Sequence, residues 1–123
     1  MSLKHILTLK YLILKKVLFR KDSMMKKVTA DLSLLPLGTN TSSLSVYLKY
    51  VKSMLEKQEK VLYEMGPMST HLEGDIDDIW EIVRIIQDGL FKQGLNRLYT
   101  VLKIDDRRDK ETTLQSKRER LGL

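Results

Sequence analysis

Residues 61–80 read VLYEMGPMSTHLEGDIDDIW, and this stretch decides the fold. Val61 to Met65 has the composition of a short strand. Gly66-Pro67 is a turn signal, and Met68 to Glu73 reads as a further strand, paired with the first as a hairpin. Gly74 and Asp75 are expected to break it. Asp75 is a good helix N-cap, which puts Asp77 and Asp78 in the first turn, where the helix dipole favours negative charge. Ile76, Ile79, Trp80, Val83, Ile86 and Leu90 then recur at helical spacing and predict one apolar face, with Trp80 packed inside it. Gly89 within that helix costs about 1 kcal/mol relative to alanine, and Gly94 sits where a C-terminal cap belongs.

Upstream of the hairpin, Val28, Ala30, Leu32 and Leu34 alternate with Thr29, Asp31, Ser33 and Leu35. Period 2 predicts a strand, which Pro36 and Gly38 are expected to end. Thr39 to Ser43 is a polar loop rich in capping residues. Leu44, Tyr47, Leu48, Val51, Met54 and Leu55 predict an amphipathic helix to about Gln58, with Tyr47 in the core. Downstream, Arg97 to Ile104 reads as a fourth strand. Asp105 to Leu123 is highly charged and predicted to be helical from about Lys110. The order β-α-β-β-α-β plus a tail helix is the ferredoxin-like α+β sandwich: a four-stranded antiparallel sheet, two helices on one face, and a C-terminal helix.

The other sheet face is not cleanly polar. In the last strand, Arg97, Tyr99, Val101 and Lys103 point away from Leu98, Thr100, Leu102 and Ile104, and both sets hold apolar side chains. Leu35 likewise lies opposite Leu32 and Leu34. A sheet face left to water alternates more cleanly, so a second subunit is expected to cover part of it.

With 123 residues, 42% hydrophobic and 31% charged, the chain suits one soluble globular domain. It has no cysteine, which excludes disulfides and thiolate chemistry and fits the cytoplasm. Of the net charge of +6, residues 1–24 hold +5, from Lys4, Lys10, Lys15, Lys16, Arg20 and Lys21 against Asp22. The body is therefore near neutral. The RNA-recognition motif shares this topology but needs exposed aromatics and basic residues on its central strands, so nucleic-acid binding is not expected.

Residues 1–24 form a separate basic, apolar extension, and 25–123 form the domain. Ile6 to Phe19 is too short and too charged to span a bilayer, and an amphipathic helix on a membrane surface is the alternative weighed. The extension reads as a non-native start, with translation beginning at Met24 or Met25. If made, it is expected to be a poorly packed helix or a mobile tail. No membrane partner is expected.

Four short strings carry a resemblance. They are Leu35-Pro36-Leu37-Gly38-Thr39, Ser43-Leu44-Ser45-Val46-Tyr47, Pro67-Met68-Ser69-Thr70-His71-Leu72-Glu73-Gly74-Asp75, and Lys103-Ile104-Asp105-Asp106-Arg107-Arg108-Asp109-Lys110. In order and spacing, over roughly residues 26–121, the chain resembles the thiamine-binding protein family. Ser69 departs from the glycine usual there. The resemblance implies a homodimer or homotetramer built through the sheets, and binding of thiamine or its hydroxymethylpyrimidine part.

A thiamine site needs an apolar or aromatic slot and an acceptor for the amino group. Leu35, Pro36, Leu37, Gly38 and Thr39, then Met68, Ser69, Thr70 and Glu73, together with Asp31, can supply it, with Tyr63 and Tyr99 as stacking partners. Each has a plainer reading. Pro36 to Thr39 can be a capped turn, Glu73-Gly74-Asp75 the start of a helix, and Asp31 half of an ion pair at a subunit interface. Arg107 or Arg108 can bind an anion, although a salt-linked corner fixing the tail helix is the preferred reading.

Catalysis is not expected. His71 is the one histidine of the body, and no nucleophile–histidine–acid set can be assembled from spacing. The same scarcity argues against a metal site, no phosphate-binding glycine loop is present, and no cofactor is implied. The alternative to ligand binding is a structural or regulatory module whose oligomerisation is its function.

Overall fold

A computed structural model of the chain describes residues 2–11, 26–41 and 43–123. Residues 3–11 are helical, and every described residue of this segment is exposed. The expected start at Met24 or Met25 lies outside the described residues. The domain then runs β1 (Lys27–Leu37), α1 (Ser45–Glu56), β2 (Leu62–Met65), β3 (Thr70–Asp75), α2 (Ile76–Lys92), β4 (Arg97–Asp105) and α3 (Leu114–Arg120).

The strands form one sheet in the order β2-β3-β1-β4, and every neighbouring pair is antiparallel. This is the ferredoxin-like α+β arrangement. Hydrophobic burial explains it directly. Val28, Ala30 and Leu32 of β1 and Leu72 of β3 point to one side, where Val51 and Leu55 of α1 and Ile79, Val83, Ile86 and Leu90 of α2 close over them. At Gly89 the two helices approach closely: a Cβ there would collide with the Tyr50 ring. The glycine that costs helix propensity is thus the one that lets α1 and α2 pack. Asp75 caps α2 by accepting from the Asp77 backbone N–H at 2.8 Å.

Several boundaries differ from expectation. Pro36 does not end β1: the strand runs through it to Leu37, opposite Leu98 and Arg97 of β4. β3 accompanies β1 only as far as Leu32 opposite Thr70, so beyond that point one side of β1 has no strand neighbour. A residue without an N–H is tolerated there. Gly38, at φ +71°, is what turns the chain. Met68 and Ser69 belong to the hairpin turn, closed by Gly66 N–H donating to the Ser69 carbonyl at 2.8 Å. β3 therefore begins at Thr70, and it continues through Gly74 and Asp75 because they pair with Val28 and Lys27. The tail helix begins at Leu114 rather than Lys110, because Thr113 and Ser116 form a capping box.

Trp80 is a correction of substance. It does not pack inside the sandwich but remains 54% exposed. Ile79, Ile82, Val83 and Ile86 take the buried positions on α2, and Trp80 is left on the flank that overhangs the outer strand β4.

Candidate functional site

The sheet face away from α1 and α2 is read from its register. Thr29 lies between Glu73 and Asp105, Asp31 between His71 and Lys103, Ser33 beside Val101, and Leu35 beside Tyr99. One end of this face is charged, the other apolar. The tail helix α3 settles on the charged end. The Leu114 backbone N–H donates to Glu73 Oε1 at 2.7 Å. Lys117 pairs with Asp105, and Arg118 with Glu64. Lys27 approaches Glu73 at 3.6 Å and Glu111 at 3.4 Å, tying the connecting segment down as well. No residue of α3 is buried, so polar contacts rather than apolar packing hold it.

Between α3 and the sheet lies a groove of about 290 Å³, lined among others by Thr29, Asp31, His71, Lys103, Asp105 and Lys117. Asp31 Oδ1 sits 3.2 Å from His71 Nδ1, and its Oδ2 3.7 Å from Lys103 Nζ. That His71 contact is an approach of an acid and an imidazole and not a hydrogen bond. Asp31 Oδ1 and Thr29 Oγ1, the latter on a residue only 3% exposed, are thus buried oxygens without a hydrogen-bond partner among the described residues. Leaving such a group unsatisfied costs about 1–3 kcal/mol. A hydrogen-bonding guest in the groove recovers that cost.

The ten sequence-predicted residues do not meet in one place within the chain. Asp31 stands in the groove, and Glu73 beside it holds α3. Leu35 shares the face but lies toward Tyr99, both being exposed. Leu37, Gly38 and Thr39 line a separate small cavity of about 170 Å³ with Asn40, Tyr47 and the Gly94–Asn96 loop. The six residue-to-residue steps from Asp31 to Leu37 span about 20 Å of strand, which separates the two places. Pro36 is buried within β1. Thr70 is 7% exposed and pairs with Leu32 on the helix side. Met68, 88% exposed, and Ser69 sit at the hairpin turn.

Thr29, Lys103 and Lys117 were not among the predicted site residues. The first two carried a signal: like Asp31, they fall on the odd-numbered face of their strands. Lys117 carried none, because only the fold brings α3 back over the sheet.

The segment after β4 is a salt-linked corner. Arg107 makes two hydrogen bonds to Asp109, at 2.6 and 2.9 Å, and Arg108 pairs with Asp106 at 3.0 Å. Hydrogen bonding from Arg107 lowers the Asp109 carboxyl to about 2. The Lys117 hydrogen bond and charge likewise hold the Asp105 carboxyl below its ordinary value. Both arginines are therefore engaged locally. Among the described residues, no group of three or more acidic, histidine or cysteine side chains is placed to hold a metal ion, and no helix is long and apolar enough to cross a membrane.

Comparison with known proteins adds to this geometry. Residues 30–121 match the family model described as thiamine-binding protein. The chain is similar to the UPF0045 protein YqgV of Bacillus subtilis, 42% identical over 91 residues that cover 72% of this chain and 88% of that one. It also resembles the crystal structure of protein MJ1052 from Methanocaldococcus jannaschii, with a TM-score of 0.71 and 34% identity over 79% of this chain and 97% of that chain. A crystal structure from Thermotoga maritima, named for a proposed role in thiamine biosynthesis or salvage, shares the fold, with a TM-score of 0.65 at 23% identity over 77% and 98% of the two chains.

Proposed function

The chain belongs to the thiamine-binding protein family, and from that premise we propose that it binds thiamine or the related hydroxymethylpyrimidine without transforming it. The observation that carries this reading is the pair of buried oxygens, Thr29 Oγ1 and Asp31 Oδ1, that lack a hydrogen-bond partner among the described residues and lie in the groove beneath α3. An aminopyrimidine presents an N–H₂ donor next to a ring nitrogen acceptor. A carboxylate accepts from the first and a hydroxyl donates to the second. The groove volume, about 290 Å³, is on the scale of a small heterocycle.

A binding role suits the groups present. His71 and Asp31 lie side by side, and among the described residues no serine or threonine hydroxyl is hydrogen-bonded to His71 to act as nucleophile. The apolar end of the same face, where Leu35, Tyr99 and Val101 are all more than 40% exposed, supports assembly of a homodimer or homotetramer through this face. Such a cover would also shield the open groove from water. We place the protein in the cytoplasm, as a buffer, carrier or sensor of its ligand.

Titration calorimetry with thiamine, its phosphates and hydroxymethylpyrimidine tests the proposal. Saturable binding in the micromolar range to at least one of them is expected, and it should weaken in Asp31→Asn. Millimolar or absent binding to all of them would refute it. Native mass spectrometry of freshly purified protein then separates a loaded oligomer from an empty one, the outcome expected of a purely structural module.

A further inference from the structure

We propose that α3 is a movable lid on the groove, and that Leu114 and Lys117 on its underside complete the ligand site when it closes. The ligand half of this proposal rests on the reading of the groove as a pyrimidine site. The floor of the groove is the reason. Thr29 Oγ1 and Asp31 Oδ1 belong to residues that line it, yet both oxygens are buried, and Thr29 is only 3% exposed. A heterocycle is much larger than a water molecule, so it reaches them only if something above them gives way. The strand itself is held: β1 is paired on both sides at Thr29, and its neighbours Val28 and Ala30 sit in the core. α3 is not held in that way.

The strand register places α3 over Thr29. The cross-strand neighbours of this threonine are Glu73 on one side and Asp105 on the other. The same two carboxylates hold the helix: Glu73 accepts from the Leu114 backbone N–H at 2.7 Å, and Asp105 pairs with Lys117. The first turn of α3 therefore bridges Thr29 from both flanks. Leu114 and Lys117 also line the groove. For a guest seated on Thr29 and Asp31, Leu114 supplies an apolar wall and Lys117 a cation.

The attachment of α3 is built to be reversible. No residue of the helix is buried, and Leu114 is its one apolar side chain. Lys117–Asp105 and Arg118–Glu64 join solvent-exposed side chains, and such pairs are weak and screened by salt. The segment from Asp106 to Thr113 that leads to α3 has no helix or strand, and its two arginine–aspartate pairs close within the segment itself. It also carries Thr112 Oγ1, a buried oxygen with no hydrogen-bond partner among the described residues, so docking leaves a polar group uncompensated. A seven-residue helix is shorter than the roughly 12 residues at which isolated helices become even marginal, so α3 unwinds when it leaves the sheet. Opening is thus a local unfolding step that leaves the core intact.

Thiol labelling tests the lid, because the chain has no cysteine of its own. Thr29→Cys puts a thiol beneath α3, and Val28→Cys puts one on the opposite face of the same strand, in the core. Toward a thiol-reactive dye the first should react at least about tenfold faster, since α3 opens locally and the core only globally. Its rate should rise little with urea, whereas that of Val28→Cys should climb steeply, as expected when much more surface is exposed. Adding Lys117→Ala to Thr29→Cys should speed labelling about fivefold, the effect of losing one exposed ion pair. Circular dichroism checks that each variant is folded, and Val51→Cys, also in the core, repeats the control. Equal rates and equal urea dependence for the two β1 thiols, or a Thr29→Cys rate that Lys117→Ala leaves unchanged, would overturn the lid. In the wild type, hydroxymethylpyrimidine or thiamine should slow amide exchange over 114–120, because closure adds Leu114 and Lys117 to its contacts. Binding seen by calorimetry with that exchange unchanged would overturn the lid's part in the site. No binding at all would refute the binding role instead, and the labelling would still decide the lid, so the two readings fail separately.

Discussion

Glu73 is the carboxylate on which the groove's outer wall depends. It is 5% exposed, accepts the first backbone N–H of α3 at 2.7 Å, and faces Lys27 at 3.6 Å. Because α3 buries no residue, few other contacts resist its departure. A hydrogen bond to a charged group contributes about 1.5–3 kcal/mol, a neutral one about 1 kcal/mol. Favourable charge at a helix N-terminus adds about 0.3–1 kcal/mol. Glu73→Gln keeps volume and acceptor but loses charge, and should cost about 1 kcal/mol. Glu73→Ala leaves the Leu114 N–H without its acceptor and should cost about 2–3 kcal/mol. Urea denaturation reads the totals, and amide hydrogen exchange over 114–120 should show α3 released before the core opens. Equal stability in all three proteins, with α3 exchange unchanged, would refute the idea that this carboxylate pins the helix.

At Gly89 the expected effect depends on its neighbour. Gly89→Ala should lower stability by about 1 kcal/mol, because overpacking against Tyr50 costs about 1–3 kcal/mol and outweighs the helix-propensity gain of about 1 kcal/mol. In a Tyr50→Ala background the same change should stabilise by up to about 1 kcal/mol, and identical urea shifts in both backgrounds would count against the packing account. Asp31→Asn should weaken binding of the pyrimidine ligand about ten- to hundredfold in calorimetry, the loss expected when a charged acceptor becomes a neutral one. Asp105 and Asp109 both have folded carboxyl values below the ordinary 3.8. Their contributions to the corner are therefore complete above that value and lost as pH falls through the lowered ones, about 2 for Asp109. NMR titration of the side-chain carboxyls should show this, with α3 exchange accelerating over the same acid range.

Period-2 alternation from Val28 to Leu34 and 3.6-residue spacing from Ile76 to Leu90 were enough for the element order and the sandwich, because both periodicities report which face of an element leaves water. The Asp75 cap and the place of Gly94 were legible for the same local reason. Trp80 was not: spacing marks an apolar stripe but not where the sheet beneath it ends. Nor were the limits of β3 and the passage of β1 through Pro36, which follow from which partner strand is present at each residue. The groove lay furthest from reach. Asp31, His71 and Lys103 are dozens of residues apart in the chain and meet only through the register of three strands, while Lys117 joins them because Glu73 brings α3 back across the sheet. Local pattern settles the elements, since hydrophobic burial acts residue by residue. The meeting of distant polar groups waits on strand register and helix docking, which the whole core decides at once.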